Sequence, residues 1–240
     1  MKLLTCLLLL PLWFLAALPA RAEAPRFEDS MAQRTLACTG CHGKEGRAGP
    51  DGYYPRIAGK PAGYLYNQLL SFRDGRRRYG LMARLLDPLT DAYLLEIAQH
   101  FAALELPYPA PSPATVPAAL LRRGEELVRH GDTAKELPAC VQCHGDALTG
   151  ALPNTPGLLG LSRDYLNSQL GAWRTGQRRA HAPDCMARIA RQLSPEDLTA
   201  ATAWLAAQPL PRDTRAVASL PRPPTVSCGS ATQPAGRQAS

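Results

Sequence analysis

Apolar side chains recur at three- and four-residue spacing in two well-separated stretches of this 240-residue chain. Tyr64, Leu65, Leu69 and Phe72 form one stripe, and Tyr165, Leu166, Leu170 and Trp173 form another with Gln169 between them, so each stretch predicts a helix with one apolar face. Gly75 and Gly176 follow as stops, because glycine enters the left-handed backbone region without steric cost. Two more helices announce themselves by their starts. Thr90 precedes Leu94, Leu95, Ala98 and Phe101, while Ser194 and Pro195 precede Leu198, Ala201 and Leu205; a hydroxyl caps free amides and a proline suits the first turn. No stretch alternates β-branched with polar residues, so the pattern predicts an all-α fold.

The two stripes belong to a longer repeat. "PRIAGKPAGYLYNQLLSFRDGRRR" from Pro55 aligns without gaps on "PGLLGLSRDYLNSQLGAWRTGQRR" from Pro156, with identities at Pro55/Pro156, Gly59/Gly160, Tyr64/Tyr165, Gln68/Gln169, Gly75/Gly176 and Arg77/Arg178 among others. "MARLLDPLTDAYLL" from Met82 then answers "MARIARQLSPEDLT" from Met186 after a short insertion. The chain reads as a tandem duplication. Its expected organisation is a first domain over 23–106, a Pro-rich linker over 107–117, a second domain over 118–210 and a tail over 211–240. The tail is rich in Pro, Ser and Arg without periodic hydrophobicity, which predicts disorder. About ninety residues per half make a thin core, so something besides side chains is expected to fill each middle.

Composition changes the picture at the N-terminus. Lys2, an apolar run from Leu3 to Leu18 and the small-x-small triplet Ala20-Arg21-Ala22 read as a secretory signal peptide over 1–22, which predicts a periplasmic protein; a retained anchor is the rival. The formal charge of +7 falls to about +5 without that segment, too small to indicate nucleic acid. Peripheral association with a membrane surface stays open. Of seven cysteines, Cys6 leaves with the signal and four form two Cys-x-x-Cys-His units. Cys185 and Cys228 remain, and in an oxidising compartment a disulfide between them could clip the tail beside Met186.

The units are Cys38-Thr39-Gly40-Cys41-His42 and Cys140-Val141-Gln142-Cys143-His144. Composition alone predicts about 0.004 copies of such a motif, and two occur at equivalent places in the repeat. A shared zinc site would bring the cysteine pairs within about twenty residues of each other, whereas about a hundred separate them. A thioredoxin-like pair would sit among strands, which neither half offers. Haem attachment uses every specified residue: two thioether sulfurs, and an adjacent histidine held beneath the ring to ligate iron. An imidazole ligand is best held by an acceptor on its other nitrogen. Pro55 and Pro156 lie in a shared Pro-x-[Ile/Leu]-x-Gly pattern that resembles small c-type cytochromes, which implies that their carbonyls accept a hydrogen bond from each histidine. An ordinary proline turn is the alternative. Met82 and Met186 are repeat equivalents about forty residues beyond the histidines, expected in loops, and are candidate sixth ligands. His181 is a rival in the second half, and Met31 reads as core. Arg77 and Arg178 recur in both copies and read as partners for propionates or for an acidic docking protein, or else as solvated helix ends.

Cys-x-x-Cys-His-Gly, Pro-x-[Ile/Leu]-x-Gly, Tyr-Leu-x-x-Gln-Leu, Arg-x-Gly-x-Arg and a late methionine, all present twice, resemble the dihaem cytochrome c4 family. The resemblance implies two class I cytochrome c domains related by a pseudo-twofold axis, each wrapped around a covalent haem c, carrying electrons between respiratory complexes. A quinol-oxidising complex or a dehydrogenase would be donor and a terminal oxidase acceptor. With both axial positions filled, the chain is expected to be a carrier and not an enzyme. The rival functions are a dihaem electron-transfer subunit of a periplasmic dehydrogenase, for instance one oxidising sulfide, and a dihaem peroxidase.

Overall fold

The computed structural model describes residues 28–111 and 113–233, so the signal-peptide segment lies outside the described residues. Five helices make the first half: α1 (Met31–Arg34), α2 (Leu36–His42), α3 (Ala62–Arg73), α4 (Gly80–Leu86) and α5 (Asp91–Ala102). Five more make the second: α6 (Ala118–Arg129), α7 (Val141–His144), α8 (Arg163–Arg174), α9 (Cys185–Gln192) and α10 (Pro195–Ala207). A two-residue antiparallel pair, β1 (Gly150–Ala151) and β2 (Thr155–Pro156), is a minor addition to an otherwise helical chain.

The caps lie where the pattern puts them. Thr90 accepts from the Tyr93 amide and Ser194 from the Asp197 amide, with Pro195 in the first turn of α10. The hydroxyl oxygens thereby satisfy amides that have no carbonyl one turn back. Beyond α3 and α8, Gly75 and Gly176 adopt φ of 72° and 74°, which ends both helices in the left-handed region.

In the first half α3 crosses α5, enclosing Leu65, Phe72, Leu94, Ile97 and Phe101, with Met31 packed against their edge. In the second half α6 crosses α10 over Val128, Leu166, Ala201, Trp204 and Leu205. That crossing depends on Gly124, where a Cβ would lie 2.2 Å from the Ala200 carbonyl oxygen. Asp197 fastens the same layer. It is buried and accepts from Arg123 at 2.8 Å and Lys135 at 2.6 Å, while Arg123 also reaches Asp132 at 2.7 Å.

The halves meet along the segments after α3 and α8. Arg77 and Arg178 form an antiparallel bridge, with the Arg78 amide donating to Gln177 and the Arg179 amide to Arg76, both at 2.8 Å. The described linker residues have no regular structure, and the start of the linker is held by Arg56, which donates to the carbonyls of Leu106 and Pro107 and stacks 3.8 Å over the Tyr108 ring. Tyr108 in turn fills the space a side chain at Gly160 would need.

The tail departs from expectation. Up to residue 233 it lies against the second half in bends and turns, and Cys228 is joined to Cys185 in a disulfide with Cα atoms 4.9 Å apart. Its order comes from backbone hydrogen bonds to loops and from that covalent tie, neither of which leaves a hydrophobic period in sequence.

Two outcomes follow from this packing. Gly124→Ala gains up to ~1 kcal/mol of helix propensity but forces α6 and α10 apart, so a net loss of about 2 kcal/mol is expected in urea unfolding. Burial pushes the Asp197 carboxyl up, but bonds from Arg123 and Lys135 outweigh it and hold it at about 2, against about 3.9 in an unfolded chain. Its stabilisation is complete above the unfolded value and is lost as pH falls through the folded one. Between about pH 4 and about pH 2 the Asp197→Asn variant should therefore lose less stability than the parent chain, measured by denaturant titration at each pH.

Candidate functional site

Helices α2 and α7 each end in a motif histidine, and both imidazoles are buried. His42 Nδ1 lies 2.8 Å from the Pro55 carbonyl oxygen and His144 Nδ1 lies 2.7 Å from that of Pro156. A carbonyl only accepts, so each Nδ1 carries the hydrogen and each Nε2 presents a lone pair. Burial, opposed by the carbonyl bond, pushes both imidazoles below their ordinary pKa, with Arg77 adding to this at His42 and Lys60 at His144. Two neutral, oriented imidazoles are what a metal requires. Gly43 and Gly145 follow the histidines with φ of 73° and 80°, turning the chain back toward those prolines.

In the first half Cys38, Cys41, His42 and Met82 line one cavity of about 250 Å³ whose walls include Tyr54, Leu69, Leu86, Tyr93 and Ile97. Thiols, imidazole and thioether thus converge on an apolar chamber, the donor set and shape suited to haem c. In the second half Cys140 and Val141 pack against Leu148, Leu159, Leu166 and Trp204. Burial pushes the Cys140 thiol up to about 12. Cys38, Cys41, Cys140 and Cys143 are all free of disulfides.

Met82 and Met186 stand in the first turns of α4 and α9, not in loops. Asp184 accepts from the Ala187 amide and sets the start of α9. His181 lies in the preceding loop, its amide donating to Ser230.

Arg77 and Arg178 are not solvated helix ends: they are 9% and 5% exposed. Arg77 donates to Gln68 of its own half at 3.1 Å and to Tyr165 and Gln169 of the other at 3.1 and 2.6 Å. Arg178 mirrors it, donating to Gln169 at 2.9 Å and to Gln68 and Tyr64 across the joint at 2.8 and 3.4 Å. Each guanidinium also covers an aromatic ring, Phe72 at 4.4 Å and Trp173 at 3.8 Å. Every described partner is neutral. Burial, and then the like charge of Arg77, push the Arg178 guanidinium down; burial raises the Tyr165 phenol, but the two arginines outweigh it and leave it low.

Lys60 was not foreseen. It is 5% exposed, and its Nζ crosses between the halves to the Gly157 carbonyl at 3.1 Å, one residue past Pro156. Its repeat equivalent is Leu161, so the pattern of identities hid it.

No protein-family model matches the chain. A cytochrome c4 of Pseudomonas aeruginosa is 31% identical over 200 residues, covering 82% of this chain and 96% of that protein. The chain belongs to the dihaem cytochrome c4 family. A thiosulfate dehydrogenase electron acceptor of Thiomonas intermedia is 36% identical over 188 residues, 78% of this cytochrome and 85% of that one. The crystal structure of reduced recombinant cytochrome c4 from Pseudomonas stutzeri superposes with a TM-score of 0.63 at 30% identity, covering 74% of this chain and 96% of that chain. As a member of the family this cytochrome holds two haem c groups and carries electrons.

Proposed function

We propose that this cytochrome c4 takes single electrons from a periplasmic dehydrogenase or a quinol-oxidising complex and delivers them to a terminal oxidase. Thioethers from Cys38 and Cys41 would hold one haem and those from Cys140 and Cys143 the other. His42 with Met82, and His144 with Met186, would be the axial pairs. The observation that carries this reading is the matched pair of Nδ1–carbonyl bonds at Pro55 and Pro156, together with the cavity where both sulfurs, the imidazole and Met82 meet.

Bound haem c supplies a one-electron iron couple. The residues of the chain do the rest. The proline carbonyls fix each ring plane and keep Nε2 directed at its target, so little rearranges when charge changes. Methionine thioethers favour the ferrous state and raise the potential. With a histidine and a methionine both holding it, the iron would offer no open position to oxygen or peroxide, which suits a carrier that leaves catalysis to its partners. The buried guanidiniums of Arg77 and Arg178, offset by no described carboxylate, suit haem propionates at the joint.

Among the described residues no helix is long and apolar enough to cross a membrane. Periplasmic location rests on the leader sequence. A thiosulfate-oxidising dehydrogenase is the donor favoured by the similarity to the Thiomonas intermedia electron acceptor.

Met82→Ala and Met186→Ala should each abolish the methionine-to-iron charge-transfer band of one haem and lower that haem's potential; a variant that leaves both bands intact would refute its assignment. Lys60 provides a second measurement. Burial, then the Arg56 charge, bring its amine down to about 8, so it remains largely charged at neutral pH and disfavours the more positive ferric state beside it. Lys60→Met should lower the midpoint potential of the second haem and leave the first unchanged in a spectroelectrochemical titration.

A further inference from the structure

The tail touches the second half on two sides. Val217 pairs beside β1, its amide donating to the Gly150 carbonyl at 3.0 Å and its own carbonyl accepting from the Leu152 amide at 2.9 Å. Its side chain lies 3.7 Å from where a Cβ on Gly145, next to His144, would stand. Thr225 donates to Gln142, between the motif cysteines, at 3.4 Å. These stations belong to the histidine side.

The next ones belong to the methionine side. Cys228 is bonded to Cys185, which immediately precedes Met186. The Gly229 amide donates to the Pro183 carbonyl at 3.0 Å, and Ser230 accepts from the His181 amide at 3.1 Å. Gly229 lies so close to this loop that a Cβ would fall 2.2 Å from the Ala182 oxygen. From Thr225 to Cys228 the chain spans at most ~10 Å. A segment that reaches both sides within that length crosses the edge between them.

Among the described residues, nothing covers the first half at the same place. Gly40, the equivalent of Gln142, borders open space: a Cβ there would meet no atom within 4 Å. Leu81 and Leu85 stand 57% and 40% exposed at the cavity mouth, and Cys41 is exposed.

We propose that residues 217–230 form a strap, latched by the Cys185–Cys228 disulfide, that closes the edge of the second haem and makes the first haem the port for redox partners. The inference rests on the assignment of His144 and Met186 to the second iron. On this arrangement an electron would enter at the first half and reach the second only across the joint. It leaves by the same port.

The test uses the full-length ferric holoprotein with imidazole as the probe, and NMR of the haem methyl resonances to follow each haem separately. In the parent chain imidazole should enter at the first haem much faster than at the second. The double variant Cys185→Ser/Cys228→Ser should raise the rate at the second haem at least tenfold, leave the first unchanged, and speed oxidation of the reduced protein by hexacyanoferrate(III). Adding Val217→Pro removes a further anchor and should raise the rate again. Equal access at both haems in the parent chain, or an unchanged second-haem rate in both variants at two haems per chain, would overturn the strap. Met186→Ala separates the two ideas: if it leaves the second charge-transfer band intact, the ligand assignment fails, whatever the imidazole rates show.

Discussion

Two like charges buried against each other organise this molecule. Arg77 and Arg178 enter the joint from opposite halves, and each uses a glutamine and a tyrosine of the other half as acceptors. Desolvating two guanidiniums costs several kcal/mol per ion unless opposite charge and hydrogen bonds compensate. The glutamines and tyrosines satisfy the donors without supplying charge. An anion at the joint would complete the balance, which is the role proposed above for the haem propionates.

The same economy governs each histidine. A buried imidazole with a carbonyl on one nitrogen has only the other to offer, so His42 and His144 are oriented by the backbone of Pro55 and Pro156. The glycines after the histidines, with positive φ, make that return of the chain possible. Local backbone conformation therefore determines how firmly each imidazole is held.

The helices and the repeat were legible because they rest on periodicity and capping, which are local. Thr90, Ser194, Gly75 and Gly176 do in space what their chemistry foretells. The histidine–proline contacts were legible through a repeated motif. Arg77 and Arg178 were singled out, but their partners could not be read, because a contact across the joint has no sequence spacing. Lys60 escaped because its equivalent is Leu161, and the tail because backbone hydrogen bonds leave no mark on side-chain composition. Met82 and Met186 were expected in loops and stand instead in the first turns of helices. Asp184 caps a helix where an insertion obscured the pattern.

The joint has one more property. Arg77 contacts Gln169, and Arg178 contacts Gln68, its duplicate; Tyr165 and Tyr64 exchange in the same manner. Such a patch is self-complementary, the hallmark of isologous contacts in homodimers. The covalent connection adds effective concentration without adding specificity, and because both copies lie in one chain, a substitution in either half alters one side of the patch and leaves its duplicate intact.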